Sequence, residues 1–105
     1  MSIQLTDLTV SQRSVLRDLA ARYVWWKSPD EALAHPQRVM AQVMNLGDYD
    51  DVLRLSEAFD DETLRDVIRD AEIGQFNARS WTYWHYRLDM AERGQVPPLP
   101  DRRLA

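Results

Sequence analysis

The residues of this chain that could do chemistry fall into two acidic clusters, two histidines and one aromatic run. Asp48, Asp50 and Asp51 form the first cluster, and Asp60, Asp61 and Glu62 the second. Carboxylate oxygens are the donors that hard divalent cations prefer. The same residues are also what a helix N-terminus takes, for capping and for the macrodipole. Neither cluster is part of a glycine-bearing calcium loop, so both read as caps and no metal is expected. His35 precedes a proline at a helix junction, and His85 lies inside the aromatic run. Neither has a His or Cys four residues away to complete a metal pair. A Gly-x-Ser-x-Gly elbow and a glycine-rich phosphate loop are both missing. On these grounds the chain is expected to be no enzyme, with no catalytic residue and no cofactor.

The aromatic run is Arg79-Ser80-Trp81-Thr82-Tyr83-Trp84-His85-Tyr86-Arg87-Leu88. On a helix each residue advances by about 100°. Trp81, Trp84 and Leu88 then share one face, and Tyr83, Tyr86, Arg87 and Met90 the opposite one. A helix at the edge of a small domain needs one apolar face, so the second face is available to a partner. Tyr, Trp, Met and Arg are the types enriched at interface centres. The pair Trp25-Trp26 is read in the same terms. Adjacent helical positions diverge, so two readings stand: both rings are core, or one enters the core while Trp26 joins Tyr83 or Tyr86 in an exposed patch. Nucleic acid is the less favoured partner. Arg79 and Arg87 interleave with rings that could stack on bases, and Arg13, Arg17, Arg22 and Lys27 could line phosphates. The net charge of −4 works against a polyanion.

The elements that must position these residues are helices. Thr9 or Ser11 caps the first, whose apolar stripe is Val15, Leu16, Leu19 and Tyr23 and which ends around Trp25-Trp26. Ser28-Pro29-Asp30-Glu31 is a capping box with proline at the first helical position. Pro36 restarts the chain in a helix that buries Val39, Met40, Val43 and Met44. Gly47 is expected to stop it at positive φ. Asp48 caps the next helix, with Val52, Leu55, Ser56 and Phe59 inward, and Asp60 or Asp61 the one after, with Leu64, Val67, Ile68 and Ala71 inward. Gly74 closes that helix. Asn77 or Ser80 starts the aromatic helix, which should fray near Arg93-Gly94. No segment alternates with the period of a strand. The fold class is therefore all-α, a compact bundle of five or six short helices over residues 1–94. Residues 95–105 form an extended Pro-rich tail, because Val96-Pro97-Pro98-Leu99-Pro100 cannot be helical.

The tail reads either as a disordered end or as an arm laid along a partner groove, with Leu99 and Leu104 as anchors and Arg102 and Arg103 pairing with acidic groups. A chain of 105 residues fits one domain. It has no Cys, no signal-peptide pattern at its start and no apolar run of membrane-spanning length. The expectation is a soluble, cytoplasmic protein.

Three stretches carry a resemblance: Tyr23-Val24-Trp25-Trp26-Lys27-Ser28-Pro29-Asp30-Glu31-Ala32-Leu33, Val39-Met40-Ala41-Gln42-Val43-Met44-Asn45-Leu46-Gly47, and the aromatic run itself. Together they look like a group of small bacterial proteins encoded beside AbiEii-like nucleotidyltransferase toxins. The resemblance covers roughly residues 20–104. It implies a toxin–antitoxin pair in which this chain is the antitoxin, and it assigns no role to any single residue. The chain does not resemble the toxin, which has a Gly-Ser pair followed by an Asp-x-Asp metal motif on strands. Nor does it show the wing strands of the usual winged-helix partner. The expected partner contacts are Trp26, Tyr83, Tyr86, Arg87, Leu99, Arg102 and Arg103. Two alternatives stand beside this one: a helix-turn-helix DNA-binding repressor within residues 36–91, and a homo-oligomeric scaffold.

Overall fold

Each described α-helix starts where a side-chain oxygen accepts a first-turn amide or where a proline, having no N–H, removes one of the unpaired donors. In the computed structural model, which describes residues 4–100, a 3-10 turn at Leu5–Asp7 precedes six helices. They are α1 (Val10–Tyr23), α2 (Pro29–Leu33), α3 (Pro36–Leu46), α4 (Tyr49–Ala58), α5 (Asp61–Arg69) and α6 (Ala78–Arg87). Thr9, Ser28, Asp48, Asp60 and Asn77 each accept the amide three residues on. That satisfies one donor that the helix itself leaves free. α3 has no side-chain cap and starts on Pro36 instead. The protein is all-α, and the described residues contain no strand. Among the described residues no helix is long and apolar enough to cross a membrane.

α3 is the centre of the fold. α1, α2, α4, α5 and α6 all pack against it. It therefore buries Val39, Met40, Ala41, Val43 and Met44, more than a single stripe. Helix ends are tied down by side chains from elsewhere in the chain. Gln12 donates to Ala58 O at 3.0 Å, Gln37 to Asp70 O at 3.3 Å, and Arg65 to Leu88 O at 2.8 Å. These carbonyls at the ends of α4, α5 and α6 have no amide of their own helix ahead of them.

Several expected boundaries are corrected. α1 stops at Tyr23, before the tryptophan pair. The chain leaves it at Val24, and Lys27 N–H closes a turn on Val24 O, which brings Ser28 round to cap α2. Gly47 is not left-handed, since its φ is −63°. Its amide donates to Val43 O at 2.7 Å, and a Cβ there would lie 2.5 Å from the same oxygen. Glycine is required here by close approach. Gly74 does have positive φ, 83°, but it sits in the following loop, because α5 has already closed at Arg69. α6 ends at Arg87, well before Gly94. Asp89 takes a φ of 54°, with Asp89 N–H on Tyr86 O and Met90 N–H on His85 O. This is a Schellman stop with aspartate in the left-handed position. Val52 and Ser56, expected inward, are half-buried beside the core residue Leu55.

Residues 95–100 have no helix or strand. Trp81 Nε1–H donates to Pro97 O at 2.8 Å, and Val96 and Leu99 pack against the core.

Candidate protein-binding surface

α6 is fastened to the C-terminal end of α3, where the last carbonyls of that helix need partners. Trp84 Nε1–H donates to Met44 O at 2.7 Å, and Ser80 Oγ–H to Asn45 O at 2.9 Å. In return Asn45 Oδ1 accepts Asn77 N–H at 3.0 Å. These bonds fix the rotation of α6 about its axis. Trp81, Trp84, His85 and Leu88 are buried as a result. His85 lies inside the protein rather than between the two faces. Its Nδ1 donates to Trp81 O at 2.7 Å and its ring packs 4.5 Å from that of Trp81. Met90, expected on the outer face, is half-buried against the core.

The same rotation puts Arg79, Tyr83, Tyr86 and Arg87 outside. Tyr83 is 52% exposed and Tyr86 41%. The Tyr86 hydroxyl accepts Gly94 N–H at 3.0 Å and so holds the turn after α6. Arg87 is the cation of the face with contacts of its own. It donates to Tyr83 Oη at 3.1 Å and to Ser56 Oγ on α4 at 3.0 Å. Its guanidinium lies 4.9 Å from the Trp84 ring centroid and 6.0 Å from that of Tyr83, within cation–π range.

Between α4 and α6 runs a groove of about 380 Å³. Met44, Gly47, Val52 and Trp84 contribute apolar lining, and the rings of Tyr49 and Tyr83 and the Arg79 side chain line it as well. Tyr49 is 78% exposed. In the sequence Tyr49 is inconspicuous, because it sits among aspartates at a helix start. Its signal was an aromatic ring at the first position of a capped helix.

Trp25 and Trp26 are both exposed, so neither enters the core as at least one of them was expected to do. Their rings meet edge to face, with centroids 5.7 Å apart. Trp26 lines a second groove, of about 240 Å³, with Val24, Val39 and Gln42. It does not share the groove of Tyr83. Leu99 is turned inward and half-buried, so its side chain is used by the protein itself. Arg102, Arg103 and Leu104 lie outside the described residues.

Of the ten arginines among the described residues, six are paired with carboxylates, Arg22 among them. Arg17 meets Asp30, Arg38 meets Glu72, Arg54 meets Asp18, and Arg65 and Arg69 share Glu62. Hydrogen bonds from Arg38 hold the Glu72 carboxyl below its ordinary range, and those from Arg69 and Arg65 do the same for Glu62. Arg79 and Arg87 have no carboxylate at ion-pairing distance among the described residues. The acidic cluster at Asp48 proves partly structural in a way not foreseen. Asp51 is buried, accepting Tyr23 Oη–H at 2.6 Å and pairing with Arg22 at 2.7 Å. Burial, and then the bond to Asp51, raise the Tyr23 phenol above its usual value. Asp48 and Asp60 cap their helices. No group of three or more His, Cys, Asp or Glu able to hold a metal ion occurs among the described residues. Comparison with protein-family models, with curated proteins and with solved structures finds no match to this chain.

Proposed function

We propose that the chain is a non-catalytic protein-binding module, an antitoxin that neutralises a nucleotidyltransferase-type toxin encoded by the neighbouring gene, in the cytoplasm. The observation that carries the binding reading is the outer face of α6. There Tyr83 and Arg87 stand exposed on a helix whose inner face is already full. A tyrosine beside an arginine fixed by three contacts loses little freedom on docking, and these are the types that dominate interface energies. Support for the toxin as partner comes from the resemblance of residues 20–104 to proteins encoded beside such enzymes.

The mechanism is occlusion of the enzyme's nucleotide or RNA cleft, or its misalignment. An acidic chain of net charge −4 complements a cleft built for polyanions and associates with it faster. Trp26 and Tyr86 flank the contact. In an extended Pro-rich tail, Arg102 and Arg103 supply its polar contacts, while Leu99 stays on the core. Co-expression with the neighbouring gene product tests this reading, scored by growth and by recovery of a complex on the tagged chain. Rescue of growth with a stable complex is the expected result. Toxicity that persists, or rescue with no complex, contradicts neutralisation by direct binding.

A further inference from the structure

We infer that the groove between α4 and α6 takes an apolar or aromatic side chain of a partner segment whose flanking residues are carboxylates. The inference deepens the protein-binding reading given above and rests on it. Arg79, Tyr83 and Arg87 are spaced at i, i+4 and i+8, so they form one stripe along the outer side of α6. The two guanidinium-bearing positions are about 12 Å apart along the axis, from the rise of an α-helix. Arg79 lines the groove itself, with Met44, Val52, Trp84, Tyr49 and Tyr83 and the polar side chains of Asn45, Asn77 and Ser80, and Arg87 stands beside it on Tyr83 and Trp84.

Charge identifies the occupant. Seven described carboxylates, Asp18, Asp30, Asp51, Glu62, Asp66, Glu72 and Asp48, lie on arginines elsewhere in the fold. None reaches Arg79 or Arg87. Arg87 is nonetheless held in place, by Tyr83, Ser56 and the Trp84 ring. A planar, pre-ordered guanidinium with no anion is suited to receive a carboxylate in bidentate geometry. The apolar side chains that line the groove beside these cations, Met44, Val52 and Trp84, favour a protein segment over a nucleic-acid strand. An RNA strand would need phosphate contacts continued along the surface, and the net charge of −4 opposes it.

The test is selection of a displayed library of random 16-residue peptides on the full-length chain, with binding then measured on synthetic copies of the enriched peptides. The expected result is a consensus with an aromatic or large aliphatic residue flanked by Asp or Glu. Arg79→Glu should weaken such peptides roughly tenfold or more, as reversal of a contacting charge does. Arg79→Glu/Arg87→Glu should weaken them further and accept Lys-flanked peptides instead. Among the described residues Arg79 makes no side-chain hydrogen bond or ion pair, so the single variant keeps the fold even if Arg87→Glu disturbs Trp84. Arg13→Glu, a charge reversal on α1, should change nothing. Failure to enrich any peptide, or enrichment of peptides indifferent to Arg79→Glu, overturns the inference. So does tight binding of a fluorescein-labelled oligouridine that Arg79→Glu abolishes, which would assign the stripe to nucleic acid. These outcomes are independent of the co-expression result. A toxin complex that forms with the wild type and survives Arg79→Glu/Arg87→Glu unchanged would leave the antitoxin reading standing and remove this one.

Discussion

Two neighbouring aromatic residues of α6 should respond to mutation in opposite ways. Trp84 is 1% exposed, and its indole N–H donates to Met44 O in the last turn of α3. The amide four residues on, Asp48 N–H, is taken by the Tyr23 hydroxyl, so it does not replace that donor. Trp84→Phe removes the donor and part of the ring. An orphaned buried carbonyl costs ~1–3 kcal/mol, and the smaller ring leaves a cavity costing ~1 kcal/mol or more. A total of ~3 kcal/mol should lower the Tm by ~12–24 °C in a domain of this size. Tyr83→Ala removes a ring that is 52% exposed and whose hydroxyl accepts only from Arg87. Its cost should stay within ~1 kcal/mol, as for most surface changes. Thermal and urea unfolding followed by circular dichroism at 222 nm measures both. Equal losses for the two variants would mean that α6 is not rotated as described, and the argument for a free outer face would fall with it.

Three other perturbations probe the frame that holds this face. Tyr23→Phe removes the 2.6 Å hydrogen bond to buried Asp51 and the partner of Asp48 N–H. It should cost ~1.5–3 kcal/mol in urea unfolding, the range for bonds to charged groups, and an unchanged midpoint would show that Arg22 alone holds Asp51. Gly47→Ala places a Cβ 2.5 Å from Val43 O, and overpacking of this kind should cost ~1–3 kcal/mol. If position 47 were instead left-handed, Gly47→Asn would be the tolerated change, so comparing the two midpoints decides between close approach and positive φ. Finally, Asp60, Glu62 and Glu72 have carboxyls held below their ordinary values by hydrogen bonds from Thr63, from Arg69 with Arg65, and from Arg38 respectively. Groups with a depressed folded value stabilise above the ordinary carboxylate range and lose that contribution as pH falls. The Tm should therefore be flat near neutrality and fall on acidification below about pH 4.5, the ordinary glutamate value. A Tm that rises on acidification would contradict these pairings.

The helices were legible because their starts carry local signals. Thr9, Ser28, Asp48, Asp60 and Asn77 are caps that can be read from residue type and the spacing of the apolar stripe behind them. The stops were less legible, since they depend on partners distant in sequence or on one unusual backbone angle. Asp89 ends α6 although no glycine marks the place. Gly47, which looked like a left-handed stop, is fixed by contact with Val43. Of the surface, the outward turn of Tyr83 and Arg87 followed from helical period alone. The groove beside them did not, because it depends on how α4 and α6 are set on α3. Trp25 and Trp26 were misjudged because α1 ends before them, which cancels the helical geometry that would have sent one ring inward. Leu99, expected on a partner, packs against the core instead, close in sequence to Pro97, which Trp81 holds across 16 positions, a contact no local pattern marks.

The measurement that bears most directly on the central claim is the affinity of the neighbouring gene product for the wild-type chain and for Tyr83→Ala/Arg87→Ala, read by titration calorimetry on samples whose unfolding midpoints have been compared. The account predicts that the double variant keeps a near-wild-type midpoint and binds at least ~30-fold more weakly, the equivalent of one interface hot spot of ~2 kcal/mol. Equal affinities for the two chains, with the fold intact in both, would contradict the claim that the outer face of α6 is where the partner docks.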